Sequence, residues 1–129
     1  MGVEVYREEQ TRRVLRYVAE EYGVEPEFMW PERYPTYAVL RNGRNGKWFG
    51  LVVRLSGGLL GMETGEVVEA VVLRFDAGQA LEFAAETEGV WPGYHMNKKN
   101  WISVVLDGSM ADEKVFGLVD RSWRLVEGE

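Results

Sequence analysis

No cysteine occurs in this chain of 129 residues. Its absence removes disulfides, thiol nucleophiles and thiolate-held zinc together, and makes a reducing cytoplasm the expected setting. Histidine is nearly absent as well: His95 stands alone, which excludes a metal centre built from histidines. No run approaches the ~20 apolar residues needed to cross a bilayer, so no membrane role is expected. The first residues lack a basic segment followed by an apolar one, and no secretory signal is expected. The nucleotide patterns GxGxxG and GxxxxGKS/T are missing. Asn45-Gly46-Lys47-Trp48 has neither the spacing nor the hydroxyl of a phosphate loop.

Catalysis finds little support in what remains. A hydrolytic triad would need His95, one serine and one acid, without a nucleophile-elbow motif. Ser103 and Ser109 are the nearest serines, and Ser109 reads better as a helix cap. Paired acids such as Glu8-Glu9, Glu20-Glu21 and Asp112-Glu113 are neighbours on helices. They do not face one another and read as solvated charge. The expectation is a non-enzymatic protein without a cofactor or metal.

The formal charge of −6 argues against polyanionic partners, but its distribution is uneven. Residues 33–62 hold Arg33, Arg41, Arg44, Lys47 and Arg54 with no acid, and residues 89–106 hold Lys98 and Lys99 with no acid. A net-acidic chain can thus carry one positive face. Depletion of Asp and Glu from strands produces the same pattern without any function.

Hydrophobic periodicity gives an order of elements. Residues 3–22 read as a helix, with Thr11, Leu15, Val18 and Tyr22 on one face beside Val14, stopped by Gly23. Residues 25–35 form a connection with three prolines whose aromatics suggest that it packs onto the body. Residues 36–41 and 47–55 make a hairpin about two Asn-Gly pairs, with Phe49, Leu51, Val53 and Leu55 on one face. After a glycine-rich connection, residues 66–75 form a β-branched third strand.

Asp76 and Gln79 resemble a capping box for a helix reaching about residue 88. Residues 90–96 and 100–106 read as two more strands around Asn97-Lys98-Lys99. Ser109 and Asp112 then cap a last helix that runs to about residue 126. The predicted fold over residues 1–129 is one α+β domain, a two-layer sandwich. It has a five-stranded, mostly antiparallel sheet, helices on one face, and the order α-β-β-β-α-β-β-α.

Specific residues carry a family resemblance. Pro92-Gly93-Tyr94-His95-Met96-Asn97-Lys98, then Trp101, Val104, Leu106-Asp107-Gly108-Ser109 and Asp112, resemble the C-terminal signature of the YjbR family, also called MmcQ/YjbR. Tyr37-Ala38-Val39-Leu40-Arg41 followed by Asn45-Gly46-Lys47-Trp48-Phe49 is similar to its first hairpin. Val72-Leu73-Arg74-Phe75-Asp76 is similar to its third strand, and Ser122 with Leu125-Val126 to its closing helix. Many members have Lys and a small residue where this chain has Arg74-Phe75. The resemblance spans residues 36–126 and implies a secretion-chaperone-like α+β fold. It also implies DNA binding through a double-wing arrangement of hairpins, an implication drawn from shape.

The residues themselves leave two functional classes open. Two basic turns, with Arg41, Arg44 and Lys47 at one and Lys98 and Lys99 at the other, would contact DNA phosphates, and Tyr94, Trp48 and Trp101 would stack on bases if exposed. Alternatively, Tyr94, His95, Asn97 and Lys98 offer a ring, an imidazole, an amide and an ammonium to a protein partner or a small anionic ligand. In that case Phe28-Met29-Trp30-Pro31 adds an apolar contact or a lid over the core. On a strand, Tyr94, Met96 and Lys98 would share one face and His95 and Asn97 the other. A purely structural role, in which His95 and Asn97 organise the turn, competes with both. The position of the two turns discriminates: on opposite sides of the domain they make no shared positive face.

Overall fold

The hairpin centred on Asn42–Gly46 lies at one edge of a five-stranded sheet, and everything else is laid out from it. The computed structural model describes residues 2–129. A short 3-10 turn at Val3–Val5 leads to α1, Glu9–Tyr22. Strands β1 (Ala38–Arg41), β2 (Trp48–Ser56) and β3 (Val67–Arg74) follow, with a 3-10 turn at Gly57–Leu60 between the last two. Then come α2 (Ala80–Glu86), β4 (Val90–Pro92), β5 (Trp101–Val105) and α3 (Asp112–Glu127). The strand order is β1-β2-β3-β5-β4, and every neighbouring pair is antiparallel. The expected α+β sandwich and its element order are what the chain adopts.

Both faces of the sheet are buried, by different means. One face packs against all three helices. Val14 and Val18 of α1, Ala80 of α2, and Val115, Val119 and Val126 of α3 meet Leu40, Phe49, Val52, Leu73, Ile102 and Val104. The opposite face carries Val39, Leu51, Val53, Val72 and Val105 and has no helix over it. Loops cover it instead: Trp30 and Tyr34 from the connection before β1, Leu60 and Met62, and Tyr94 and Met96. The aromatic connection does pack onto the body as its composition suggested. Its Glu27 exchanges two backbone hydrogen bonds of 2.9 Å with Val39, so the outer side of β1 is partly paired.

The structure corrects the sequence reading at five places. The first helix begins at Glu9 because Glu69 draws the preceding chain down. Its carboxylate accepts hydrogen bonds from the Arg7 and Glu8 amides at 2.6 and 3.2 Å, and Tyr6 is buried. In β2 the faces are divided differently. Arg41 pairs with Trp48 while Leu40 pairs with Gly50, and the register shift turns Phe49 to the helix side. A β-bulge inserts one residue and flips the alternation beyond it, so Trp48 joins Leu51, Val53 and Leu55 on the other face.

Asp76 does not cap α2. It binds Arg121 of α3, and α2 starts only at Ala80 after a turn closed by the Gln79 amide on the Asp76 carbonyl. Ser109 does not cap α3 either: its amide and hydroxyl both reach Asp107, and Asp112 is engaged with Arg13 and Gln10. Finally, β4 ends at Pro92 and residues 93–100 form two successive turns. The alternation of Tyr94, Met96 and Lys98 against His95 and Asn97 therefore does not exist.

Candidate functional site

The first of the two acid-free windows of the sequence acquires acids on folding. At the first turn Asn42 Oδ1 accepts the Arg44 amide at 2.8 Å, Asn45 Oδ1 accepts the Lys47 amide at 3.0 Å, and Gly46 supplies a left-handed φ of 74°. This is the conformation that Asn-Gly pairs favour. The tip is docked on the end of α3. Arg44 pairs with Glu127 at 3.0 Å, Lys47 with Glu129 at 3.7 Å, and Asn45 Nδ2 donates to the Val126 carbonyl at 2.8 Å. Arg74, at the end of β3, also meets Glu129. Arg41 pairs with Glu27 at 3.1 Å and Arg54 with Glu69 at 3.1 Å. Of the five bases in this window, Arg33 alone lacks an ion pair among the described residues.

The second turn leaves the same end of the sheet. Gly50 near the start of β2 pairs with Leu73, and Arg74 at the end of β3 pairs with Trp101 at the start of β5. The basic turns are thus neighbours across β3, not on opposite sides. Asn97 acts as a turn organiser, its Oδ1 accepting the Lys99 amide at 2.9 Å. Lys98 donates its ammonium to the Gly93 carbonyl at 3.0 Å. Ser103 is a strut, donating to the Pro92 carbonyl at 3.0 Å and accepting the Tyr94 amide at 2.9 Å. Trp101 is half-buried against the helix-free face.

Beside the second turn lies a feature that the sequence did not announce. A cavity of about 300 Å³ opens on the helix-free face of the sheet, walled by Trp30, Tyr34, Tyr37, Trp48 and His95, with Leu51 and Met96 as aliphatic wall. Trp30 and Trp48 meet edge to face with centroids 5.9 Å apart, and Tyr34 stacks on Tyr37 at 4.8 Å. The Tyr37 and Tyr94 hydroxyls share a hydrogen bond of 2.7 Å. Burial first, and the Tyr94 hydroxyl second, push the Tyr37 hydroxyl above the usual tyrosine range. It therefore stays protonated, and no carboxylate lines the pocket.

His95 completes the wall in an unusual way. It is the one residue other than glycine with a positive φ, 63°, among the described residues. Its exposed imidazole lies 4.3 Å from the Tyr94 ring and 6.4 Å from Tyr37. A left-handed backbone costs a non-glycine residue roughly 1–2 kcal/mol, and glycine would remove that cost.

The sequence reading singled out Trp30, Trp48, Tyr94 and His95 separately but missed Tyr34, Tyr37 and Leu51 as their companions. The available signal was four aromatics within residues 28–37, interleaved with prolines, in a stretch too irregular for a helix. A larger groove of about 480 Å³ between α2 and β4 includes Leu81, Ala84, Ala85 and Trp91 and carries Glu86 and Glu88, but gathers no comparable set of rings. Among the described residues no group of three or more His, Asp or Glu side chains is placed to hold a metal. No helix among them is long and apolar enough to cross a membrane.

Comparison with known proteins bears on the whole arrangement. A family model described as YjbR matches residues 19–125. The uncharacterised protein YyaQ of Bacillus subtilis is 32% identical over 114 residues, covering 88% of this chain and 95% of that protein. YbdF of Escherichia coli O157:H7, also uncharacterised, is 33% identical over 100 residues, 78% of this chain and 71% of that one. A crystal structure from Pseudomonas syringae superposes with a TM-score of 0.81 at 28% identity, over 88% of this chain and 96% of that one. The Deinococcus radiodurans protein DR2400, at 24% identity and a TM-score of 0.63, shares the fold over 89% of this chain and 77% of its own.

Proposed function

The chain belongs to the YjbR family, and from that premise we propose that it is a non-enzymatic binding domain whose site is the aromatic pocket on the helix-free face, open to a flat ring. The observation that carries this reading is the backbone of His95. A residue held in a left-handed conformation at a pocket wall, where glycine would fit with less strain, supports a role for its side chain. The rest of the wall suits the same task. Four large rings give apolar area with few rotamers to freeze, and a volume near 300 Å³ is within the range of small-molecule sites.

NMR on the tryptophan indole N–H groups tests it. Titration with indole or adenosine should move the Trp30 and Trp48 resonances and leave the other indoles in place. Trp48→Ala should weaken binding by about ten-fold or more, since one stacked ring contributes roughly 1–3 kcal/mol. His95→Gly separates site from fold: the melting temperature should hold or rise while ring binding weakens. Still indole resonances, or full affinity in His95→Gly, would sink the reading.

Duplex DNA held by two basic hairpin loops in a double-wing arrangement is the second reading, and the shared end of the sheet favours it. The ion pairs weigh against it. Arg41, Arg44 and Lys47 are already matched to Glu27, Glu127 and Glu129, and phosphates would have to displace those acids. A short duplex at physiological salt is therefore expected to bind no tighter than ~10⁻⁴ M, the weak edge of non-specific association. Salt-dependent affinity in the micromolar range, measured by fluorescence anisotropy, would reinstate the double wing.

A further inference from the structure

The pocket gathers the acid-poor parts of an acidic chain. Tyr34, Tyr37, Trp48, Leu51, His95 and Met96 all come from the two windows that contain no Asp or Glu, and only Trp30 lies outside them. Two guanidinium groups rest against wall rings: Arg33 with its Cζ 5.7 Å from the Tyr34 centroid, and Arg41 5.9 Å from that of Trp48. Arg41 is committed to Glu27 and to the Gly46 carbonyl. Arg33 is exposed, and its head makes no hydrogen bond or ion pair among the described residues.

Ring walls alone suit either a flat ring or an organic cation, because aromatic faces are negative and attract both kinds of positive edge. The surrounding charge decides between them. A quaternary ammonium would find no lining carboxylate and would approach the Arg33 guanidinium, whereas Arg41 is matched by Glu27. An anion attached to a ring would find an unpaired arginine, whose planar fork matches carboxylate and phosphate oxygens.

We infer, on the footing that the pocket takes a flat ring, that the ring carries its own negative charge: an aromatic or heteroaromatic acid, phosphate or carboxylate, with the acidic group met by Arg33. The ring stacks among Trp30, Trp48 and the tyrosines, and the acid stays at the wetter rim. Screening there is strong, so the charge contributes selectivity more than affinity.

Two matched pairs of probes test this in the whole protein by the same indole resonances. Adenosine is compared with its monophosphate, and indole with indole acetate. The acidic member of a pair should bind about five-fold tighter at low salt, with the gap closing in high salt and in Arg33→Ala. The pair with the larger gap names phosphate or carboxylate as the acid. Equal affinity within both pairs overturns the charge inference and leaves the ring site standing. Choline binding more tightly than either acid also overturns it, as does a gap that survives Arg33→Ala. If neither pair moves Trp30 or Trp48, the ring site itself is lost and this inference with it.

Discussion

Replacing Glu69 with alanine should destabilise the protein by about 3–5 kcal/mol, the loss typical of removing one partner from a buried charged pair. The carboxylate is fully buried and holds four donors: the Arg7 amide at 2.6 Å, the Glu8 amide at 3.2 Å, the Thr11 hydroxyl at 2.6 Å and Arg54 Nη1 at 3.1 Å. Removing it leaves the partly exposed Arg54 without its acid and frees the segment that leads into α1. Two of the lost bonds are to backbone amides just before the helix, so the start of α1 should fray together with the 3-10 turn at Val3–Val5. For a chain of this size the melting temperature should fall by on the order of 10–20 °C. Glu69→Gln keeps an acceptor oxygen and the side-chain volume, and should lose roughly half as much. Thermal unfolding reads the loss, and hydrogen exchange at Arg7 and Glu8 reads its location. A loss below ~1 kcal/mol for the alanine variant would show that solvent replaces the carboxylate, contrary to its burial.

Gly93→Ala should also destabilise, by less and for a steric reason. A Cβ at residue 93 would lie 2.5 Å from Trp101 Cβ and 2.7 Å from the Trp101 carbonyl oxygen. Backbone cannot yield as a side-chain tip does, so β4 and β5 would have to part where the Gly93 amide bonds Trp101 at 3.1 Å. Overpacking of this kind costs about 1–3 kcal/mol. The functional loss should exceed the stability loss, because the turn after Gly93 carries His95 and Met96 into the pocket wall. Ring binding should disappear at a temperature where the variant is still folded by circular dichroism. Gly43→Ala is the control: no atom lies within 4 Å of the added carbon, and both stability and binding should hold. Wild-type binding by Gly93→Ala would mean that the turn does not set the site.

The order of elements and the gathering of the helices on one face of the sheet were legible because they rest on local periodicity. Val14, Leu15 and Val18 repeat at helical spacing and are buried as that spacing predicts. The misread parts have partners that capping and alternation rules do not contain, one distant in sequence from Asp76 and another only two residues from Ser109. Asp76 and Ser109 have the chemistry of caps, but Arg121 and Asp107 claim them. Phe49 alternates with Leu51 in sequence, and a one-residue bulge undoes that alternation. Glu69 sits in a β-branched run where an acid reads as solvated, yet it is among the most buried side chains. The pocket was half legible. Its rings stood out as an aromatic connection and an aromatic-basic loop, while their convergence depends on the order β1-β2-β3-β5-β4. One sequence clue was available: β2 and β3 are apolar on both faces, which demands a cover on the side without helices.

The strand order has a further consequence, for how copies of this chain meet. An open sheet ends in two rows of unpaired amides and carbonyls, and such rows template growth by a strand from another molecule. Here one row is interrupted where Glu27 pairs with Val39. The other belongs to β4, three residues long and ending in Pro92, which has no amide hydrogen to give. The apolar strands β2 and β3 are enclosed between these guarded borders, so the segments with the strongest tendency to stack into fibrils are the least able to begin doing so.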